Sequence, residues 1–425
     1  MTTAEFIRLH RADNVVSLAL QASRYNGVDM PFALNQIAGW QMARTKMPSW
    51  AAIEGMVYPP HLNIEQSSGE AAARYKGAVA TRWLRQEAGD RPVSTLVDLT
   101  GGFGVDFSFL SQAFSRAVYV ERDERLCDIA RHNFALLGLR DVEVVSGDGV
   151  AYLHRLPPVG ASTGSCGEFR MVFLDPARRD ADGHKVFAME QCTPDVVDLR
   201  DELLCKADVV MVKLSPMLDW HEAVRKLEPV SEVHVVSVRN ECKELLLVLS
   251  RHDRPLTVTC VNDGQVFCYE QQASTFSAPL PTSTSTLPIS VASVSSSAVP
   301  MVGTSSATRF LLVPNSSVMK AGCFKALELA FPVTQLDVSS HLFIAEEAVV
   351  DFPGRQFRIE AVSTLNKKSL RQAFGGVKRA NVAVRNFPLS AEALRKRLRV
   401  GDGGDLYVFG TTVNGMHQLY LTRKI

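Results

Sequence analysis

Four short stretches place polar groups where apolar runs stop. LVDLTGGFG (96–104) ends a run of Leu and Val in Asp98 and Thr100, then supplies Gly101, Gly102 and Gly104. Glycine lets a backbone pass close to a ligand and take positive φ. VYVERD (118–123) stops at Glu121, and VEVVSGDG (142–149) stops at Asp148. A carboxylate at the first place can accept both hydroxyls of a ribose, and one at the second can accept from an adenine amine. VFLDPARRD (172–180) ends in Asp175 and Pro176, with Arg178, Arg179 and Asp180 behind them. Asp175 would face the same crevice, at the carboxyl edge of the sheet. Each position alone has a plainer account, a tight turn or a solvated acid, and dinucleotide enzymes use a similar glycine turn. Four consecutive strand ends read together point to an adenosyl cofactor with an acceptor beside Asp175.

Two further stretches border that crevice. VVMVKLSPMLDW (209–220) places Lys213 and Ser215 at the end of a fifth strand, where the lysine could meet a substrate phosphate or carbonyl. EQSSGEAAARYK (65–76) puts Ser67, Ser68 and Glu70 just ahead of the sheet, able to close over a cofactor or simply to form a capping box.

These residues need a scaffold. The 425 residues suit two or three domains, and 46% apolar content is enough for real cores. Residues 1–90 read as a helical N-terminal domain. From 91 to 250, short apolar runs alternate with helical segments, which predicts an α/β, doubly wound, mostly parallel sheet. Residues 251–308 read as connecting strands and a Ser/Thr/Pro-rich insertion, with no charged residue from 271 to 308. Residues 309–425 read as an α+β domain, with strands at RFLLVP, SSHLFIA, RQFRIEAV, ANVAVRNF, DLYVFGTT and HQLYLTRK.

Charge and cysteine content narrow the function classes. The 46 basic and 45 acidic residues nearly cancel, so any nucleic-acid surface must be local. One region qualifies. Between 366 and 399 there are ten Lys or Arg, among them Lys378, Arg379 and Arg385, against one Glu. Such a face would bind phosphates without reading sequence. Eight cysteines without metal-ligand spacing suggest buried thiols, no metal and a reducing cytoplasm. No apolar stretch is long enough to predict a membrane span.

The series DLTGGFG, ERD, GD and DPAR resembles that of class I S-adenosylmethionine-dependent methyltransferases. The resemblance implies a Rossmann-like sheet. It implies that Asp98, Thr100 and the glycines 101, 102 and 104 cradle the methionine part. It places Glu121 on ribose, Asp148 on adenine and Asp175 toward substrate. A narrower likeness runs through EQSSGEAAARYK, VDLTGGFGVD, FLDPARRD, KLSP, ECKELL, KAGCFKAL, SSHLF, DFPGRQF, VRNFPLS and DGGDLYVFGTT. It is to a bacterial family in which the methyltransferase precedes a THUMP-like C-terminal domain, with a core similar to guanine-N2 methyltransferases of RNA caps. The leading expectation is an RNA methyltransferase acting on a base amine such as guanine N2, with tRNA or rRNA as substrate.

The family's amine-methylating members carry Asn/Asp-Pro-Pro and then an aromatic. Here Asp175 and Pro176 match, while Ala177 and Arg178 depart. Arg178 could stack its plane on a base or clamp a phosphate. Phe187 is another candidate to hold the ring. Pyrimidine methylation through a thiolate is disfavoured, because Cys127, Cys192 and Cys242 sit in no Pro-Cys pattern. A small-molecule or protein methyltransferase, a noncatalytic RNA-binding protein and an NAD-linked dehydrogenase are the other readings.

Overall fold

The strand-like runs at 94–98, 116–121, 142–146 and 169–174 differ in a way that already orders them. FRMVFL is buried at all six positions, as a central parallel strand must be, whereas VEVVS is only partly covered. In the computed structural model, which describes residues 1–89, 91–160, 168–177, 189–252, 254–271 and 309–425, the first of these lies inside the sheet and the second at its edge. Arg178, Arg179, Phe187 and the insertion beyond Gln271 lie outside the described residues.

The chain forms two compact units, Met1–Thr259 and Cys260–Ile425. The first opens with helices α1 (Thr3–His10), α2 (Val15–Leu20), α3 (Met30–Lys46), α4 (Pro48–Ala51), α5 (His61–Gln66) and α6 (Glu70–Glu87). Local signals start several of them. Thr2 and Glu5 make a reciprocal capping box, and the Asp29 side chain caps α3 ahead of Pro31.

The sheet follows with β1 (Ser94–Asp98), α7 (Val105–Leu110), β2 (Arg116–Glu121), α8 (Glu124–Leu136), β3 (Val142–Ser146) and α9 (Gly149–Arg155). It continues with β4 (Phe169–Leu174), α10 (Val196–Lys206), β5 (Val209–Leu214), α11 (Trp220–Leu227), β6 (Val230–Val238) and β7 (Glu241–Ser250). The strand order is β3-β2-β1-β4-β5-β7-β6. The first five strands are parallel; β7 runs antiparallel to both β5 and β6. A two-residue turn explains this. Arg239 and Asn240 both take positive φ, the geometry of a tight hairpin. The order switches direction beside β1, so the carboxyl ends of β1, β2, β4 and β5 open on one crevice.

Two cores hold this unit together. Val79, Ala80 and Trp83 of α6 pack with Leu96, Tyr119, Phe169, Met171 and Val248 of the sheet and its helices. The second core joins the N-terminal helices to the loop after β1: Trp50 meets Phe103 edge-on at 5.0 Å, with Met47, Tyr58 and Val105 around them.

In the second unit β8 (Thr257–Asn262), which leads in from the first, pairs with β9 (Gln265–Glu270). Then come β10 (Phe310–Pro314), α12 (Ser316–Ala321), α13 (Phe324–Ala330), β11 (Thr334–Gln335), β12 (Phe343–Ala345), β13 (Gly354–Thr364), α14 (Lys367–Phe374), β14 (Asn381–Arg385), α15 (Ala391–Leu398), β15 (Leu406–Val413) and β16 (Met416–Lys424). Their order is β11-β12-β10-β13-β16-β15-β14, with β14 parallel to β15.

A polar staple fastens α6 to β6. Glu232 accepts from the two terminal guanidinium nitrogens of Arg82 and from Trp83 Nε1 at 2.9 Å; His234, 2.9 Å away through Nε2, reaches Tyr75 through Nδ1. Burial alone would raise the Glu232 carboxyl, but His234 and Arg82 outweigh it and hold it at about 2. A depressed carboxyl adds stability above its unfolded value and loses it as pH falls through the folded one. Glu232→Gln should therefore cost about 3 kcal/mol at neutral pH. Denaturation of both proteins between pH 6 and 2 should show the gap closing below about pH 4.5.

Candidate active site

The glycine loop is shaped by what surrounds it. A Cβ on Gly101 would stand 2.2 Å from the Tyr119 ring, so only glycine lets the chain pass there. The Tyr119 hydroxyl donates to the carbonyl of Gly102, and burial keeps that phenol protonated by pushing its pKa far up. Gly104, at φ +83°, turns the chain into α7. The amide of Gly102 donates to Glu121 Oε2 at 2.8 Å, and the amide of Asp123 donates to Oε1 at 2.9 Å. A carboxylate has about four acceptor sites, so Glu121 is aimed and still able to take hydroxyls.

Thr100 joins two strand ends. Its amide donates to Asp98 Oδ1 at 2.9 Å, and its hydroxyl accepts from the Asp175 amide at 2.6 Å. Asp98 is fully buried. Burial pushes its carboxyl well up; the Thr100 amide opposes this, and Asp106, Asp175 and Glu121 add to it. Asp148 caps α9 through Oδ1, which accepts from Ala151, and is otherwise exposed. Gly149 beside it is required: a Cβ would stand 2.0 Å from the Leu99 carbonyl. That close approach packs the start of α9 against the residue that follows β1.

Asp175 does not stand free. Lys213 Nζ lies 2.5 Å from Asp175 Oδ2 and 3.6 Å from Asp106 Oδ2. Asp106 Oδ1 lies 3.1 Å from Lys76 Nζ, which also reaches Glu244 at 2.5 Å. Ser68 donates to Asp106 at 2.7 Å. Residues from α6, α7, β5 and β7 thus form one chain of alternating charge ending at Asp175. Pro176 follows, and Ala177 exchanges two backbone hydrogen bonds with Thr193 at 2.8 and 3.0 Å.

Asp98, Thr100, Gly101, Gly102, Gly104, Glu121, Asp148 and Asp175 therefore gather at one crevice, with Lys213 beside them. Ser67 engages locally, whereas Glu70 takes one distant and one local partner. Ser67 Oγ donates to the Ile64 carbonyl, and Glu70 accepts from the Ser49 amide and from Arg74. They form no capping box, because α6 is capped by Gly69. Lys378, Arg379 and Arg385 sit in the second unit. Arg379 Nε donates to the Asp402 carbonyl, while Lys378 is exposed. Sequence reasoning missed Asp106 and Glu244, and it placed Lys76 only as a residue of the EQSSGEAAARYK stretch, without its ion pairs. A lysine and an acid among otherwise apolar helix and strand neighbours were the only signals.

Among the described residues no group of three His, Cys, Asp or Glu could hold a metal ion, and no helix is long and apolar enough to cross a membrane. Gly101→Ala drives a methyl group into a buried ring. It should cost about 1–3 kcal/mol in urea denaturation.

The comparisons agree with this geometry. Residues 354–424 match the THUMP domain-like family and residues 310–353 a ferredoxin-like domain family. The chain is 23% identical over 395 residues to an uncharacterized S-adenosylmethionine-dependent methyltransferase of Mycobacterium tuberculosis, covering 91% of this chain and 96% of that one. A crystal structure of a protein from Porphyromonas gingivalis W83 assigned as a methyltransferase is 29% identical, with TM-score 0.77 over 99% of this chain and 97% of the other. The glycine cradle, the aimed Glu121 and the strand order fit the adenosyl cofactor these relatives imply. The protein is an S-adenosylmethionine-dependent methyltransferase whose α/β catalytic unit is followed by a THUMP-like region.

Proposed function

We propose that the protein methylates an exocyclic amine of an RNA base, guanine N2 or a similar nitrogen in tRNA or rRNA, by direct in-line transfer. The observation that carries this is the Lys213–Asp175 pair. A carboxylate held by an ammonium group is a fixed acceptor of N–H bonds. It suits an amine, which needs orientation, better than a hydroxyl or thiol, which needs a strong base.

S-adenosylmethionine supplies an electrophilic methyl on a sulfonium with a good leaving group. The Gly101–Gly104 loop would hold its amino-acid part, Glu121 its ribose and Asp148 its adenine. Asp175 would orient the acceptor N–H, while Thr100 fixes the Asp175 backbone. Asp175 would keep the acceptor nitrogen aimed during methylation, and the proton lost from that nitrogen would pass to water. The Cys127 thiol does not support a covalent route: it donates to the Glu121 carbonyl, and burial raises its pKa.

RNA is favoured by the THUMP-like region and by its exposed Lys367, Lys368, Arg371 and Lys378. A base inside a duplex would have to be flipped out to reach such a crevice.

Three outcomes test the reading. Nucleoside mass spectrometry of total RNA should find one methylated base missing in a deletion strain; unchanged RNA would move the acceptor to a protein or small molecule. Asp175→Asn should lower transfer at least about 100-fold with nearly unchanged cofactor affinity, while Glu121→Gln should weaken cofactor binding about 10–100-fold by calorimetry. Replacing Lys367, Lys368 and Lys378 by Gln should lower the slope of log K against log salt by about two.

A further inference from the structure

Two arginines stand against one half-buried indole on the N-terminal helices. Arg11, which caps the end of α1, places its guanidinium carbon 4.7 Å from the centre of the Trp40 ring, and Arg44 of α3 places its own at 5.2 Å. Arg44 follows Trp40 by one helical turn, so the two share a face of α3. Hydrogen bonds hold the group in place. Trp40 Nε1 donates to the Ala51 carbonyl at 3.0 Å. Gln41 Nε2 donates to the carbonyls of Arg11 at 3.0 Å and Asp13 at 2.7 Å, which ties the end of α1 to α3.

Arginine beside an aromatic ring is ordinary packing when its charge is answered. Trp83 is that case. Arg82 and Arg254 lie 5.9 and 4.9 Å from its ring, the ring is fully buried, and the arginines are paired with Glu232 and Glu87. Around Trp40 the charge is not answered. Among the described residues no carboxylate forms an ion pair with Arg11 or Arg44, and the carboxylate of nearby Asp13 is taken by His10 at 2.8 Å. Both arginines are exposed. Their guanidinium groups stand no more than about 10 Å apart, within one screening length at ordinary salt, so they repel each other until an anion joins them.

The group also lies on the way to the crevice. Trp40 packs against the core that holds Phe103 of the glycine loop. Lys46 ends α3, about 9 Å beyond Trp40 along the helix axis, and stands within electrostatic reach of Lys213 and Asp106. On the reading that the acceptor lies in RNA, we propose that Arg11, Trp40 and Arg44 hold a single-stranded stretch of that RNA next to the target base, with phosphates on the two guanidinium groups and a base against the exposed part of the indole. An arginine fork meets a phosphate in two hydrogen bonds, and an indole stacks on any base. Such contacts fix register and orientation without reading sequence. The catalytic unit then has its own grip on RNA, in addition to the lysines of the THUMP-like region.

The test uses the full-length protein with two probes, a uridine oligomer of about 12 nucleotides and total RNA from a deletion strain. Trp50, Trp83 and Trp220 are buried, so Trp40 supplies the emission that acrylamide quenches, and W40F should remove it. Saturating oligomer should cut that quenching at least about twofold. R11Q/R44Q should weaken binding of both probes about tenfold at low salt and lower the slope of log K against log salt by about one. R11K/R44K keeps the charge and loses the fork. It should restore the slope but not the full affinity.

Binding that leaves Trp40 as quenchable as before, or an unchanged salt slope in R11Q/R44Q, overturns the inference and leaves the RNA reading standing. Should R11Q/R44Q fail to fold by thermal melting, R44Q alone should give about half the change in slope, and no change overturns the inference equally. Phosphatidylglycerol vesicles form a third arm, because Leu9 and Leu20 are exposed on the neighbouring helices. Vesicle binding that is lost in R11Q/R44Q while RNA binding is unchanged overturns the inference in favour of a membrane surface. A wild-type chain that binds neither RNA probe removes the RNA reading, and the inference with it.

Discussion

Asp106 is shared by two lysines, and the arrangement of the crevice depends on that sharing. Buried ions are costly unless each is paired and hydrogen-bonded. Lys76 comes from a helix before the sheet, Lys213 from β5 and Glu244 from β7; none of their elements could shift without stranding a charge. The one acid sits two residues past Gly104, so the same constraint that locks helix to sheet also fixes where the glycine loop ends. Packing and site geometry are set together.

The strand ends show how local chemistry and long-range chemistry differ in legibility. Asp98, Glu121, Asp148 and Asp175 were visible because each closes an apolar run, three of them within a few residues of glycine or proline. The doubly wound sheet was visible for the same reason. The role of Lys213 was not. In sequence it is a lysine at a strand end, free to meet solvent or phosphate; its partner Asp175 lies 38 residues away. Lys76 and Glu244 lie 168 apart, and no pattern of spacing joins them. Glu70 and Ser67 misled in the opposite direction. They match a capping pattern, yet local partners at Arg74 and Ile64 and a tertiary one at Ser49 claim them.

The antiparallel β7 was only half legible. Its apolar run announces a strand, but direction depends on the turn, and Arg239-Asn240 is not a typical sequence for two positive φ values. In the second unit, helix α14 was hidden by the basic run itself: KKSLRQAF reads as charge before it reads as an amphipathic helix. Of that helix only Phe374 is buried.

Phe103 stands between the glycines and packs into Trp50 and the helices before the sheet. The cofactor loop is therefore gripped from behind by residues that precede β1. The N-terminal helices behave as the outer jaw of the nucleotide site rather than as a separate appendage. A catalytic core cut to begin at β1 would keep every strand-end carboxylate and lose the wall that holds the loop in shape. Mutational tolerance should follow the same logic: the apolar residues near Trp50 are under the constraint of the loop they support.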